Sequence, residues 1–401
     1  MYQAKHDRHA ASRRAPRHTA APPRRRHRWL VRALAAMLAL GCLGYVSFVF
    51  LPIPFVRYWR NIYIETAMTT AHHKWLATAF IPGGIIQDVM AKQTGVVDTI
   101  GGLEVRPAGQ ADEDTPAASA APGADSTPQA TAAPTATPAP TPVPDILGQA
   151  QLTEGQPNEQ GDLVLVNDRE QGIVILEVKG TNYTAHLAMI DDPSRVFVAT
   201  TADKGSRGTF ICDYLAENDA VLGINANGFA DEGGHGTGGE IAGQCYAQGQ
   251  AWGEYKDNYE SFGFDSQNRL LVGKIPDWDA YQIRDGAQFK PALIIDGEIV
   301  TAGSNGWGLQ PRTCIGQRED GVVLFLVVDG RQIGYSIGAT VGDCAEVLQR
   351  YGAVNACCCD GGSSSVMAYN GELVGIPSTP MKTTGRWLPN AFLVARRETD
   401  S

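Results

Sequence analysis

Two aspartates, each followed by glycine, are the first residues in this sequence whose types and placement can do chemistry. Asp329 comes directly after the apolar residues 322–328, and Asp360 comes directly after residues 354–359. A pair of carboxylates is the working part of glycoside hydrolysis, and it also suits a hard metal ion. Asp-Gly is equally common in tight turns, so either pair taken alone is more simply a turn.

A helical pattern separates the two apolar runs. Thr340 suits the N-cap, Asp343 the third helical position and Gly352 the left-handed position after the helix, and apolar positions between them recur at helical spacing. Strand, helix and strand make a βαβ unit, whose crossover makes the strands parallel. We therefore expect Asp329 and Asp360 at one sheet edge, with backbones about 5 Å apart, or about 10 Å with a strand between them.

The chain after Asp360 has a composition that suits an anion. Its residues are Gly361, Gly362, Ser363 and Ser364. Glycines allow close backbone approach, and successive free N–H groups with hydroxyls form a nest for a phosphate. The same composition also occurs in ordinary surface loops, so both interpretations stay open.

Further motifs accompany these two in a fixed order. They are the segment 223–229 (GINANGF), Pro311-Arg312-Thr313, Asp329-Gly330-Arg331, Ser336 with Gly338, Asp360-Gly361-Gly362 and a late Arg386. The series resembles the phosphodiester glycosidase family, to which the lysosomal uncovering enzyme and bacterial exopolysaccharide-biosynthesis proteins are related. The resemblance covers about residues 221–395.

The resemblance implies an enzyme that hydrolyses a glycosyl-1-phosphodiester in a surface polysaccharide or glycoconjugate. Arginines can give a phosphate two-pronged contacts, although each would otherwise be a surface ion-pair partner. The candidate catalytic residues are Asp329, Asp360 and Asn225. The candidate substrate-binding residues are Arg312, Arg331, Arg386, Asn227, Gly361, Gly362, Ser363, Ser364, Glu240 and His235. A non-catalytic polysaccharide-binding or assembly protein is the alternative, and a membrane-tethered structural protein is a third hypothesis.

Two features depart from the family pattern. Cys357, Cys358 and Cys359 precede Asp360, where the family more often has an apolar residue or Asn. The loop 230–244, which carries His235 and Glu240, is unusually rich in glycine. Both departures bear on the identity of the substrate more than on the class of reaction. Since seven cysteines lie outside the N-terminal apolar run, at least one lacks an intrachain partner, and disulfides and buried thiols both remain open.

Neither a cofactor nor a nucleic acid is expected. The chain contains no zinc-binding spacing and no P-loop, and a Ca²⁺ near the Asp-Gly loops stays an alternative that no ligand pattern supports. The formal net charge of −10 argues against a nucleic-acid partner, which would require a basic surface.

An uncharged run predicts a membrane anchor. Residues 33–51 span about 30 Å as a helix, which is the thickness of a hydrocarbon core. Ten Lys or Arg and one acid precede this run, so we expect the N-terminus in the cytoplasm and the rest of a single-pass cell-membrane protein outside. A cleaved signal peptide is the alternative, although the run is long and no small-residue cleavage site follows it.

Composition divides the chain into five segments. They are a basic tail (1–32), the signal anchor (33–51), a membrane-proximal segment with one or two amphipathic helices (52–106), a Pro/Ala/Thr-rich linker (107–145) and a catalytic domain (146–401). Short β-rich runs around the βαβ unit predict a mixed α/β fold of the α+β type, with a mixed sheet, for the last segment.

Overall fold

The computed structural model describes residues 25–70, 73–91, 145–231 and 234–398, without the side chains of residues 25–27. Most of the predicted basic tail and linker lies outside these residues. The chain divides into two compact units, Met1–Arg60 and Asn61–Ser401. The second unit begins well before residue 146 and includes the membrane-proximal helices, whose apolar side chains form a small core of their own.

The first unit contains α1 (Arg25–Phe50) and the start of α2 (Pro54–Met68). Within α1, Arg28–Phe50 is long and apolar enough to cross a membrane, although a signal sequence has the same properties. Large apolar side chains of this helix, such as Leu34 and Leu38, are exposed. The helix ends two residues before Pro52, since a residue that precedes proline disfavours helical geometry.

Three helical segments open the second unit. The end of α2 is followed by α3 (Lys74–Thr78) and α4 (Gly83–Met90). Thr69 and Thr70 at the end of α2 donate their hydroxyls back to carbonyl oxygens of the last turn. Apolar side chains from the three helices pack together, namely Ile64, Ala67, Ala77, Ile81, Ile86 and Val89.

The rest of this unit is mostly strand. Two helices, α5 (Ile211–Glu217) and α6 (Val341–Arg350), accompany the strands. The strands are β1 (Leu163–Asp168), β2 (Ile173–Lys179), β3 (Thr184–Ile190), β4 (Val196–Thr200), β5 (Ala220–Asn225), β6 (Gly228–Phe229), β7 (Ile241–Ala242), β8 (Cys245–Ala247), β9 (Gln250–Trp252), β10 (Glu260–Asp265), β11 (Leu270–Gly273), β12 (Ile283–Phe289), β13 (Ala292–Ile295), β14 (Glu298–Ile299), β15 (Arg312–Arg318), β16 (Val323–Val328), β17 (Ala353–Cys358), β18 (Met367–Tyr369), β19 (Glu372–Val374) and β20 (Asn390–Ala395).

The strands form layered sheets, which confirms the predicted mixed fold of the α+β type. The largest sheet has the order β1-β2-β3-β16-β15-β17-β13-β14. Two five-stranded sheets have the orders β11-β10-β12-β8-β9 and β19-β18-β5-β20-β4, and β6 pairs with β7. The main core lies between the large sheet and the smaller ones. Helix α6 covers the other face of the large sheet, and α5 covers the outer face of the β5–β20 sheet.

The predicted strand–helix–strand unit is present as β16, α6 and β17. Strand β15 lies between the two strands and is antiparallel to both, so β16 and β17 are parallel to each other. The parallel strands β16 and β17 do not pair with each other, because β15 lies between them. Every strand pair in the described residues is therefore antiparallel. Thr340 and Asp343 form the predicted capping box, with hydrogen bonds of 3.0 and 2.8 Å. Gly352 ends the helix at φ +86°.

The three consecutive cysteines are buried free thiols. Cys357 and Cys359 face the core between the sheets, whereas Cys358 faces the helix side, as the alternation of a strand requires. Cys358 lies 3.8 Å from Cys314, measured between the sulfur atoms. No disulfide joins the cysteines of the described residues. Burial raises the pKa of the Cys357 and Cys359 thiols well above the usual value, so they act as small apolar side chains.

Candidate functional site

Asn225 holds the loop that begins at Asp360. Its side-chain amide donates a 2.7 Å hydrogen bond to the carbonyl oxygen of Asp360. Its oxygen accepts from the Thr313 hydroxyl at 2.7 Å and from the Val366 N–H at 3.2 Å. The side chain is fully buried and ties β5 to β15 and to the Asp360 loop. Its catalytic role stays a prediction.

Asn227 is also an interior tie. Its amide nitrogen donates to the carbonyl oxygens of Ala242, Gln244 and Gln288 at 3.3, 3.2 and 3.0 Å. Its oxygen accepts a 2.8 Å hydrogen bond from Asn390. Because both ends of the buried amide have protein partners, Asn227 fixes the loop after β7, and its contact with a sugar stays a prediction.

Asp360 as a residue is partly exposed, but its carboxyl group is buried among charged side chains. Burial raises its pKa to about 6. A hydrogen bond from Ser364, the charge of Arg386 and the Gly361 N–H all oppose that rise, while Asp231 adds to it. A carboxyl group with this pKa changes its protonation near neutral pH, which is the range that acid–base chemistry requires.

Arg386 crosses from the last loop of the chain to the Asp360 loop. Its guanidinium donates two hydrogen bonds to Asp231, of 2.6 and 2.9 Å, and a third to the Ser363 hydroxyl at 3.0 Å. It also lies 4.7 Å from the centroid of the Phe229 ring. Sequence reasoning missed Asp231, although it is an acid in the glycine-rich loop directly after the 223–229 motif.

Arg331 approaches the same loop from the other side. Its Nε and Nη2 atoms donate to the Gln310 side-chain oxygen at 3.2 and 2.7 Å. A Cβ atom at Gly362 would lie 3.0 Å from Arg331 Nη2, so the glycine makes room for the guanidinium. Although Arg331 as a residue is exposed, loss of solvent around the guanidinium and the charge of Arg312 lower its pKa to about 10, which Asp360 opposes. Arg331 therefore stays positive at neutral pH.

Arg312 supports the loops behind this group. Its Nη2 donates to the carbonyl oxygens of Trp307 and Gly308 at 3.0 and 2.9 Å, and its Nε donates to Ala339 at 3.3 Å. The residue is buried at the start of β15. It therefore contributes a nearby positive charge to Arg331 while its main contacts are with the backbone.

Asp329 lies at the same sheet edge but has different partners. Its carboxylate accepts hydrogen bonds from the Tyr335 hydroxyl at 2.8 Å and the Ile376 N–H at 2.9 Å. Burial raises its pKa, while the neighbouring His186 and Lys382 counteract the shift. The structure therefore places Asp360 among the arginines and Asp329 between two loops.

His186 is buried, and burial lowers its pKa. Its Nδ1 has no hydrogen-bond partner in the part of the chain that the structure describes. The remaining candidates, His235 and Glu240, are exposed on the loop that carries Asp231. Among the described residues, no group of three His, Cys, Asp or Glu side chains could hold a metal ion.

Comparison with known proteins identifies the domain that carries this site. Residues 218–395 match the model of the phosphodiester glycosidase family. This segment is therefore similar to that family, and it is called the phosphodiester glycosidase-like domain below. It contains every candidate residue from Asn225 to Arg386.

A curated relative and several solved structures are similar to the chain. It is 28% identical over 200 residues to the SPbeta prophage-derived uncharacterized protein YomE of Bacillus subtilis (strain 168), which is 46% of this chain but only 29% of that protein. The zebrafish N-acetylglucosamine-1-phosphodiester alpha-N-acetylglucosaminidase catalytic domain, auto-inhibited by its pro-peptide, is 18% identical with a TM-score of 0.47, and the match covers 61% of this chain and 87% of that one. A hypothetical protein from Synechocystis is 15% identical with a TM-score of 0.47, and the match covers 59% and 64% of the two chains.

Proposed function

We propose that the phosphodiester glycosidase-like domain hydrolyses a glycosyl-1-phosphodiester and releases the free sugar and a phosphomonoester. The observation that carries this proposal is the position of the Asp360 carboxyl group, whose pKa of about 6 arises beside the arginine-bound loop. Water adds to the anomeric carbon, the bond from that carbon to the phosphate oxygen breaks, and the phosphate takes the bonding electrons. A phosphate is a good leaving group, so the reaction has little need for a strong general acid.

The charges around Asp360 suit both halves of such a substrate. Arg331 and Arg386 approach the loop from two sides and can hold the phosphate, together with the Ser363 hydroxyl. The N–H groups of Gly361 and Gly362 already donate within the protein, to the Asp360 carboxyl group and to the carbonyl oxygen of Pro311. Above pH 6 the carboxylate of Asp360 can stabilise an oxocarbenium-like centre or accept a proton from water.

Four other predicted residues support the site and do not contact the substrate in this proposal. Asn225 fixes the backbone of Asp360, and Asn227 fixes the loop after β7. The Asp329 carboxylate joins the loop of Tyr335 to the backbone of Ile376. We therefore assign Asp329 a role in holding the loops of the site and not a role in bond cleavage. Arg312 adds positive charge behind Arg331.

We also propose that the domain works outside the cell membrane, on a surface polysaccharide or glycoconjugate. Support comes from the apolar helix Arg28–Phe50 and from the ten basic residues among positions 1–32. The test is a cysteine introduced in the linker 107–145, in a chain whose native Cys42 is replaced by alanine. A membrane-impermeant maleimide should label it in intact cells, and labelling only after lysis would contradict this orientation.

The activity test uses the full-length chain in detergent with a panel of glycosyl-1-phosphate methyl esters of both anomers. We expect free reducing sugar from at least one ester, and none from Asp360→Asn. Asp219→Asn is the matched control, because Asp219 is an exposed acid paired with Arg396 far from the loop. Full activity of Asp360→Asn would remove this site from the mechanism. Glycan binding without turnover of any ester would favour the non-catalytic binding protein.

A further inference from the structure

The last turn of α2 contacts the loop that precedes β15. The Leu309 N–H donates a 3.0 Å hydrogen bond to the Thr66 hydroxyl. The side-chain nitrogen of Gln310 donates to the Thr66 carbonyl oxygen at 3.0 Å and to the Thr69 hydroxyl at 2.9 Å. These contacts join residues more than 240 positions apart, so they are tertiary and belong to the folded second unit.

The contact is also close in space. Gly308 has φ +59°, and a Cβ atom there would lie 2.5 Å from the backbone nitrogen and the hydroxyl oxygen of Thr66. Any other residue at position 308 would push the helix away. The glycine therefore serves the approach of α2 as well as the turn.

The same loop also contacts two arginines, Arg331 of the proposed phosphate site and Arg312 behind it. Trp307 and Gly308 accept hydrogen bonds from Arg312, and the Gln310 oxygen accepts two from Arg331. Gln310 thus uses its nitrogen for α2 and its oxygen for Arg331. Among the described residues, Nη1 of Arg331 has no hydrogen-bond partner and remains available for a ligand.

We propose that Gln310 is a positioning residue that couples the docking of α2 to the phosphate affinity of Arg331. This inference rests on the proposed function, because it gives Arg331 a phosphate to bind. Holding Nε and Nη2 on one amide oxygen fixes the guanidinium before substrate arrives, which removes the cost of ordering a long side chain during binding. The membrane-proximal helix is then part of the site and not only a connection to the anchor.

The test compares Gln310→Ala and Thr69→Val with the unmodified full-length chain. For the preferred ester of the panel we expect KM, and the inhibition constant of inorganic phosphate, to rise about 3- to 10-fold with Gln310→Ala. Thr69→Val should have a smaller effect of the same kind, and kcat should change less than twofold in both. The double variant should resemble Gln310→Ala alone, because both changes break one chain of contacts.

Thr78→Val is the matched control. Like Thr69, Thr78 donates its hydroxyl to the carbonyl oxygen four residues earlier, but it is exposed and does not contact the loop. Unchanged KM and phosphate inhibition in Gln310→Ala would overturn the coupling, and so would full additivity in the double variant. A lower kcat and melting temperature at constant KM would show a merely structural role.

Failure of the proposed function gives a different result. If the unmodified chain hydrolyses no ester, its affinity for inorganic phosphate is measured by calorimetry, and the same variants are compared by that affinity. Weaker binding in Gln310→Ala would still support the coupling, whereas equal binding would end it. If Gln310→Ala does not fold, Thr69→Val carries the comparison.

Discussion

Asn225 donates a 2.7 Å hydrogen bond to the backbone carbonyl of Asp360, although 135 residues separate them in the chain. Asn225 ends a strand of a five-stranded sheet, and Asp360 follows a strand of the eight-stranded sheet. The bond therefore joins two layers of the fold at the point where the proposed reacting carboxylate leaves the backbone.

Replacement of Asn225 by alanine should lower both stability and turnover. It leaves the Thr313 hydroxyl, the Val366 N–H and the Asp360 carbonyl oxygen without their buried partner. Each such loss costs about 1–3 kcal/mol, so the free energy of unfolding should fall by at least about 2 kcal/mol. Urea denaturation measures it, and the ester panel measures turnover.

Thr313→Val is the control for this change. It removes only the hydroxyl that donates to Asn225, so its effect should be smaller, about 1 kcal/mol. An alanine variant of Asn225 as stable and as active as the unmodified chain would contradict the positioning role.

The pH dependence of turnover should follow Asp360. With its pKa raised to about 6, the carboxylate form predominates only above that pH, so kcat/KM should rise with pH through a limb near 6. Asp231→Asn should move this limb to lower pH because Asp231 raises the pKa of Asp360. Arg386→Gln should move it to higher pH because Arg386 lowers that pKa. A limb that neither variant shifts would assign the titration to another group.

The raised pKa of Asp360 should also make the folding stability depend on pH. A carboxyl pKa raised in the folded state gives stability that is present below the ordinary value of 3.8 and is lost as pH rises through about 6. Asp360→Asn removes that loss. Its melting temperature at pH 8 should therefore equal or exceed that of the unmodified chain, which thermal unfolding at pH 5 and pH 8 can check.

Local patterns were enough to predict the unit that carries both aspartates. The apolar run before Asp329 is β16, and the cap at Thr340 is formed as expected, because each depends on neighbours in the sequence. Strand β15 was not predicted. Its polar residues Arg312, Thr313 and Gln317 are buried and bonded to distant parts of the chain, so its sequence lacks the alternation of an ordinary strand.

The sequence is enough to predict which residues form the candidate site, but not which side chains they bind. The sequence places Asp360, Ser363 and Arg386 in the site, and the structure brings these three together. It could not reveal that Arg386 pairs with Asp231, 155 positions earlier, or that Gln310 holds Arg331. Those contacts depend on loops whose paths only the folded chain defines.

The two aspartates should separate in their mutational effects. Asp329→Ala leaves the Tyr335 hydroxyl and the Ile376 N–H without their acceptor, which should destabilise the fold by about 2 kcal/mol. Asp329→Asn keeps an acceptor oxygen for both, so it should fold well and retain at least about a tenth of the turnover. Asp360→Asn should fold equally well and have no turnover.

Single-turnover kinetics and urea denaturation on the three variants measure this difference. The Asp329 carboxylate accepts hydrogen bonds from two loops and so holds the shape of the site, whereas the Asp360 carboxylate lies near two guanidinium groups and supplies charge to the reaction. If Asp329→Asn lost all turnover while its stability and KM stayed unchanged, Asp329 would take part in the chemical step, and the division between the two acids would be wrong.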